Sequence, residues 1–266
     1  MYKNFDFKKS LGQNFLIDDN VTEVIANSID YKDDNLVIEI GPGSGVLSKK
    51  LLKRADRVIL YEIDTRLNKI LENELSSFDN YEIIWDDFLY RDVKNDLVKY
   101  KYTNLYIVAN LPYYITTPII SKLVLEKIPA SEIVIMIQKE VANRLSANVG
   151  SKEYGQITVL LDYYFDIKKV IDVDRKCFYP IPNVDSAVIK MTRKEKLEKL
   201  TSFEHFDKLV KDSFRFKRKT IKNNLIDRYD LSIIQNVLEK YGFSLNSRGE
   251  DIPYYVFVDL SNELLK

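Results

Sequence analysis

The chain has 266 residues, more than one typical domain of roughly 100–200, so a large domain with a smaller companion is expected. It is 45% hydrophobic and 30% charged with a formal net charge of zero, a globular balance that excludes a uniformly basic polyanion binder but leaves room for a local basic face. One cysteine (Cys177) and one histidine (His205) exclude a disulfide framework, a cysteine-rich zinc site and a histidine-based triad or metal cluster, and they suit a reducing, cytoplasmic setting.

Residues 1–7 hold no apolar signal core, and no stretch approaches the roughly 20 apolar residues of a membrane span. Residues 36–40 (Leu-Val-Ile-Glu-Ile) form a short β-branched run ending at a glycine cluster, which predicts a buried strand and a turn. A helix follows over 46–54, with Val46, Leu47, Leu51 and Leu52 at helical spacing. Residues 58–61 predict a second strand, and a second helix runs from Asp64 through Leu67, Ile70, Leu71 and Leu75. Residues 81–84, 105–108 and 133–137 predict three more strands. Between the last two, a helix over 117–128 begins with a proline near its first turn. Residues 159–165, carrying Tyr163, Tyr164 and Phe165, and residues 187–191 predict late strands. Strands alternating with helices predict an α/β domain, an open doubly wound sheet, over residues 1–191.

The pattern changes after Met191. Residues 192–199 are nearly all polar and read as a linker. Helical periodicities follow in Phe203, Phe206, Leu209, Val210 and Phe214, in Leu231, Ile234, Val237, Leu238 and Tyr241, and over 256–265, with Gly242 as a helix stop. These predict a small all-helical domain over 192–266. Its segment 208–222 holds Lys208, Lys211, Arg215, Lys217, Arg218, Lys219 and Lys222 against the single acid Asp212. Such a cluster grips a nucleic-acid backbone, or is simply a solvated helix face.

Two motifs carry chemistry. Glu39-Ile40-Gly41-Pro42-Gly43-Ser44-Gly45 lies between a strand and a helix, where nucleotide-type cofactors bind. Val46 stands where a dinucleotide fingerprint needs its third glycine, which counts against NAD and favours a smaller ligand without a pyrophosphate. Glu62, at the end of the next strand, is placed to accept both ribose hydroxyls. A plain tight turn is the alternative for the glycines, and the pairing with Glu62 argues against it. The second motif, Asn110-Leu111-Pro112-Tyr113, follows the strand 105–108 at the same carboxyl edge of the sheet. Adenine's exocyclic amine is a poor nucleophile because its lone pair is delocalised into the ring. The Asn110 side-chain carbonyl and the Leu111 backbone carbonyl are suited to accept its N–H groups and favour a more tetrahedral nitrogen. Pro112 restricts Leu111 to extended conformations, and Tyr113 offers a stacking face worth roughly 1–3 kcal/mol. In isolation Asn-x-Pro-Tyr is an ordinary turn; its company gives it meaning.

With four more segments, these two make six ordered motifs. They are Gly12-Gln13-Asn14-Phe15-Leu16, the glycine loop from Glu39, Asn110-Leu111-Pro112-Tyr113, Gln138-Lys139-Glu140-Val141-Ala142-Asn143-Arg144, Ser151-Lys152-Glu153-Tyr154-Gly155 and Phe178-Tyr179-Pro180-Ile181-Pro182-Asn183-Val184-Asp185-Ser186. From about Lys8 to about Arg228 the chain resembles the small-subunit ribosomal RNA adenine dimethyltransferase family (the KsgA type). The resemblance implies a Rossmann-like class I methyltransferase domain with a helical C-terminal domain that contacts RNA and ribosome. It implies S-adenosyl-L-methionine as cofactor and N6,N6-dimethylation of two adjacent adenosines in a hairpin loop near the 3′ end of small-subunit RNA. It further implies a secondary role in assembly of the immature subunit, and a monomer without a metal.

Carried over by position, Gln13, Asn14, Leu16, Gly41, Gly43, Glu62, Asp87 and Asn110 bind the cofactor, with Asn14 and Leu16 closing over it and Asp87 taking its adenine amine. Asp86 competes for that last role; spacing to Phe88-Leu89 favours Asp87. Asn110 and Leu111 act on the target amine, and Tyr113 and Phe178 sandwich the flipped base. Loop adenines are the easier ones to flip. Lys139, Arg144, Arg215, Lys217, Arg218, Lys219 and Lys222 are the expected RNA contacts. The erythromycin-resistance type of large-subunit methyltransferase shares the glycine loop and Asn-x-Pro-Tyr, but the segments 138–144 and 151–155 favour the small-subunit type. Tyr114 is a candidate second pocket contact or a packing residue, Trp85 a core or pocket-wall residue, His205 a surface or boundary residue and Cys177 a small packing residue.

Overall fold

The computed structural model describes residue 8 and residues 12–266. The opening stretch 1–7, expected to lack a signal core, lies outside the described residues. In chain order the elements are β1 (Phe15–Leu16), α1 (Asp19–Asn27), β2 (Asn35–Ile40), α2 (Val46–Leu52), β3 (Arg57–Tyr61), α3 (Asn68–Glu74), β4 (Tyr81–Ile84), α4 (Val93–Leu97), β5 (Asn104–Asn110), α5 (Thr116–Leu125), β6 (Glu132–Gln138) and α6 (Lys139–Leu145). Then come α7 (Gln156–Tyr164), β7 (Phe165–Val173), β8 (Phe178–Tyr179), β9 (Ser186–Arg193), α8 (Phe203–Ser213), α9 (Ile221–Leu225), α10 (Leu231–Lys240) and α11 (Tyr254–Glu263).

Seven strands form one sheet in the order β4-β3-β2-β5-β6-β9-β7. β2 pairs in parallel with β3 and β5, β3 with β4 and β5 with β6, whereas β9 runs antiparallel to β6. Every residue of β2 is buried, as expected for a central strand covered on both faces, and its apolar run is interrupted only by Glu39 after the opening Asn35. The starts of β2 and β3 are tied reciprocally: Asn35 N donates to Asp56 Oδ2 and Asp56 N donates to Asn35 Oδ1. Strand order reverses between β2 and β5, so the carboxyl ends of these two strands open a crevice at the topological switch point.

Two expected elements differ. Of residues 159–165 only Phe165 lies in a strand; residues 159–164 belong to α7, whose Val159, Leu160, Leu161, Tyr163 and Tyr164 are buried. The strand comes next, as β7, at an edge of the sheet and rich in charge (Phe-Asp-Ile-Lys-Lys-Val-Ile-Asp-Val). Charged side chains protect an edge from pairing with other chains, and here they break the apolar alternation that marks a strand. The helix from Asp64 opens as a 3-10 turn over Thr65–Leu67 capped by the Asp64 side chain, and only then becomes α3.

The chain divides into two compact units. One comprises the residues up to Ala142 together with Lys168–Thr192, the other Asn143–Ile167 together with Arg193–Lys266. Residues 143–167 therefore group with the helical end, whereas the sequence pattern places them before residue 191. Their apolar side chains explain it: Tyr163 packs against Phe206 at 5.5 Å between ring centroids, Tyr164 against Phe203 at 5.8 Å, and Tyr154 approaches Phe214 at 6.5 Å. In this second unit α8 to α11 bury Phe206, Leu209, Val210, Ile221, Leu225, Ile234, Val237, Leu238, Val256, Phe257 and Leu260. Helix starts are capped by Ser202, Thr220 and Asp230. Among the described residues no helix is long and apolar enough to cross a membrane.

Candidate functional site

The crevice of the first unit holds a cavity of about 340 Å³. It gathers Gln13, Asn14, Gly41, Gly43, Glu62, Asp86, Asp87, Asn110, Leu111, Tyr113 and Phe178, which lie far apart in sequence. Leu16 is not on its wall; it is buried in β1, opposite Phe178 of β8 in a two-stranded antiparallel ribbon. Leu16 thus fixes the strand that carries Phe178. Trp85 is half-buried against the core and does not line the cavity. Tyr114 does, and is 58% exposed.

The glycine loop leaves β2 and turns sharply. Gly41 has φ +71°, and a Cβ there would meet no protein atom within 4 Å, so the bare backbone faces open cavity. Gly43 has φ +57°, and a Cβ would press on the Phe15 ring at 3.2 Å. Glu62 follows β3 and is only 6% exposed. Its Oε2 accepts from Gly43 N at 3.1 Å and its Oε1 from Asp64 N at 2.8 Å. Burial raises the Glu62 pKa, and these two backbone donors oppose that rise. Each oxygen keeps lone-pair capacity for a further donor.

Asp64, two residues on, anchors the N-terminal segment. Its Oδ2 accepts from Gln13 Nε2 at 2.7 Å, and Arg66 grips the same carboxylate through Nε and Nη2. The Arg66 hydrogen bonds outweigh burial and lower the Asp64 pKa to about 2. Gln13 is thus held at the rim of the cavity by a carboxylate that stays ionised at neutral pH.

Asp86 and Asp87 follow β4. Asp86 is exposed and is used by its neighbours, accepting from Asp87 N at 2.8 Å and from Arg91 at 3.3 Å. Asp87 is half-buried; its Oδ1 accepts from Leu89 N at 2.9 Å, and its Oδ2 accepts from none of the described residues.

The turn after β5 is the most specific element. Leu111 N donates to Met136 O on β6 at 3.1 Å, and Ile115 N donates to Pro112 O at 3.2 Å, which sets the turn. The Asn110 amide nitrogen makes a long contact of 3.5 Å to Asn14 O. Neither Asn110 Oδ1 nor the Leu111 carbonyl accepts a hydrogen bond from the described residues, and both residues line the cavity. The Tyr113 hydroxyl hydrogen-bonds Ser186 Oγ at 2.8 Å, which fixes its ring, and burial raises its pKa. Phe178 is 2% exposed. Sequence reasoning missed the roles of Ser186 and Asp64. Their signals were present, since Ser186 closes the motif that begins at Phe178 and Asp64 stands two positions after Glu62.

Glu39 lies beneath this loop, 1% exposed, with Oε2 unpartnered. Burial, with a smaller contribution from the charge of Glu62, pushes its pKa up to about 8. Among the described residues no cluster of three or more His, Cys, Asp or Glu is placed to hold a metal ion.

Lys139 belongs to the first unit and pairs with Asp172 at 2.9 Å. Arg144, Arg215, Lys217, Arg218, Lys219 and Lys222 belong to the second unit and are exposed. His205 is half-buried and bonded to Ser261 Oγ at 2.9 Å. Cys177 is half-buried beside Asp18.

The model of the ribosomal RNA adenine dimethylase family matches residues 4–266. A ribosomal RNA small subunit methyltransferase A of Bacillus pumilus is 44% identical over 98% of this chain and 92% of its own length. The protein of the same name from Geobacillus thermodenitrificans is 42% identical over the same shares. Among solved structures, a dimethyladenosine transferase from Plasmodium falciparum superposes with a TM-score of 0.78 at 27% identity, covering 92% of this chain and 95% of that one. The 23S rRNA methyltransferase ErmE superposes with a TM-score of 0.77 at the same identity, covering 95% of this chain and all of that one. Shape does not separate these two neighbours; the more identical relatives bear the small-subunit name.

Proposed function

This chain belongs to the ribosomal RNA adenine dimethylase family, and on that premise we propose that it uses S-adenosyl-L-methionine to dimethylate N6 of two adjacent adenosines in a hairpin loop near the 3′ end of small-subunit ribosomal RNA. The observation that carries this reading is the pair of acceptors that no described residue donates to, Asn110 Oδ1 and the Leu111 carbonyl, on the wall of a cavity flanked by the Tyr113 and Phe178 side chains. An amine with two N–H groups satisfies both.

The bound cofactor supplies a sulfonium methyl group electrophilic enough that the nucleophile needs only to be placed in line. Its site fits the residues present. Gly41 leaves its backbone open to the cavity, Glu62 offers two buried acceptor oxygens to a ribose diol, and Asp87 offers a free oxygen to an adenine amine. Asn14 and Gln13 stand at the cavity wall, Gln13 held through Asp64. Asn110 and Leu111 orient the target amine and localise its lone pair. Tyr113, pinned by Ser186, and buried Phe178 hold the flipped base from the apolar side and exclude water.

Lys139, Arg144 and the Arg215, Lys217, Arg218, Lys219 and Lys222 group contact RNA phosphates in this reading. The protein acts as a cytoplasmic monomer on an immature small subunit, and a secondary role in assembly rests on release after methylation. An Asn110→Ala protein that binds precursor particles and leaves them normally would speak against that role.

The direct test supplies methyl-labelled S-adenosylmethionine and unmethylated small and large subunits, then maps labelled nucleosides by mass spectrometry. Dimethyladenosine at two neighbouring loop positions of small-subunit RNA is expected. Label confined to large-subunit RNA would overturn the assignment.

A further inference from the structure

The loop between α8 and α9 is built around one buried side chain. Asn224 of α9 is 6% exposed. Its Oδ1 accepts from Phe216 N at 3.0 Å, and its Nδ2 donates to Ser213 O at 2.8 Å, with longer contacts to Phe216 O at 3.4 Å and Lys219 O at 3.5 Å. Lys219 N donates back to Phe216 O at 2.8 Å, closing a turn. A single amide therefore fixes the backbone from Ser213 to Lys219 before any partner arrives.

The side chains on that turn point the other way, toward solvent. Arg215, Lys217, Arg218 and Lys219 are exposed and lie within ion-pairing distance of no carboxylate among the described residues. Phe216, in their midst, is 50% exposed, with the Arg215 guanidinium 5.0 Å from its ring centroid. Asp212, the one acid nearby in sequence, is turned inward and spent on Arg228 at 2.6 Å and the Tyr229 hydroxyl at 3.0 Å. Phe216 stands outside the buried helical core, which Phe206, Phe257 and the aliphatic residues fill. Four unpaired cations around one rigidly presented aromatic ring, itself backed by a guanidinium, match the requirements of an unpaired nucleotide, whose phosphates meet the cations and whose base meets the ring.

We propose that Phe216 is a base-stacking platform: it packs against an unstacked RNA base while Arg215, Lys217, Arg218 and Lys219 hold the flanking phosphates, and Asn224 positions the loop. This rests on the RNA-binding role proposed for the basic group and adds an interaction with the base itself. Stacking and phosphate neutralisation separate experimentally, because only the second releases counterions and sets the salt dependence.

The test measures binding of the full-length protein to a fluorescently labelled small-subunit RNA hairpin, and to a fully paired RNA of equal length, across a salt series. Lys217→Ala/Arg218→Ala should weaken both and make the plot of log affinity against log salt shallower by about 0.7 for each phosphate no longer neutralised. Phe216→Ala should weaken hairpin binding roughly 5- to 10-fold with an unchanged slope and leave paired RNA within about twofold; Phe216→Trp should restore it. Phe216 is half-exposed, so unchanged thermal unfolding of both variants checks that the helices are intact. Wild-type affinity in Phe216→Ala, or a slope altered by it, would overturn the platform while leaving the phosphate grip standing. An unchanged slope in Lys217→Ala/Arg218→Ala would remove both.

Discussion

The cavity beside the glycine loop and the basic loop after α8 are built by opposite means. In the first, the polar groups line a crevice and the most buried of them are fixed: Glu62 at 6% exposure has both oxygens anchored, while the half-buried Asn110 side-chain oxygen and the Leu111 carbonyl accept from none of the described residues. In the second, charge is plentiful and exposed, and only the backbone beneath it is fixed, by Asn224. The low-dielectric cavity discriminates, because an unmatched buried acceptor is costly. A solvated cationic loop attracts any polyanion and is weakened by salt. In the function proposed above, one chain thus separates chemical selection from electrostatic capture.

That separation predicts where substitutions act. Glu62→Gln should have the largest effect on ligand binding. It exchanges a charged acceptor pair for a neutral amide and should weaken cofactor binding by 10- to 100-fold with little salt dependence, as hydrogen bonds to charged groups are worth roughly 1.5–3 kcal/mol. Calorimetric titration with S-adenosylhomocysteine at two salt concentrations checks it, and strong salt dependence would blur the contrast with the basic loop. Next, Tyr113→Ala should lower methyl transfer about 10-fold through the missing stacking face, whereas Tyr113→Phe, which keeps the ring and removes only the bond to Ser186, should cost a few-fold at most. Equal reductions in the two would mean that the hydroxyl matters and the ring face does not.

The smallest effect concerns Glu39 and reads out in stability. Its folded pKa of about 8 lies above the ordinary 4.5, so the folded state holds a proton that the unfolded chain releases. Stability is therefore lost as pH rises from about 4.5 to about 8. Glu39→Gln lacks this penalty. Relative to wild type it should gain about 2 kcal/mol between pH 6 and pH 8, seen as a widening difference in denaturant midpoint. A gap that stays constant with pH would show that Glu39 is ionised in its buried position.

Much of this was legible in the sequence because the parallel strands are buried on both faces, and β2, β5 and β6 therefore appear as largely apolar runs, β2 and β5 ending at the glycine and Asn110 motifs. The cavity residues sit at those strand ends, where a parallel sheet collects its functional groups. The edge strand β7 was hidden by its lysines and aspartates, and the apolar, aromatic face of α7 resembled a strand because helix and strand look alike over so short a run. The Leu16–Phe178 pairing and the Gln13–Asp64 bond join residues more than fifty positions apart, and no local pattern encodes them. Asp86 and Asp87 are adjacent and chemically equal in sequence. In the sequence only the spacing to Phe88-Leu89 distinguishes them; in the structure their partners do, Asp86 engaged by Asp87 N and Arg91, Asp87 with one oxygen that no described residue donates to.

In the proposed mechanism Asn110 and Leu111 act on the target amine rather than merely shaping a turn. Single-turnover methyl transfer by Asn110→Ala, at saturating cofactor and small subunits, tests it alongside the two binding constants. A rate lower by about 10²–10³-fold is expected, as when one preorganised transition-state hydrogen bond is removed, with cofactor and RNA affinity changed only a few-fold. Transfer within threefold of wild type would contradict it and leave the turn a structural feature of the crevice.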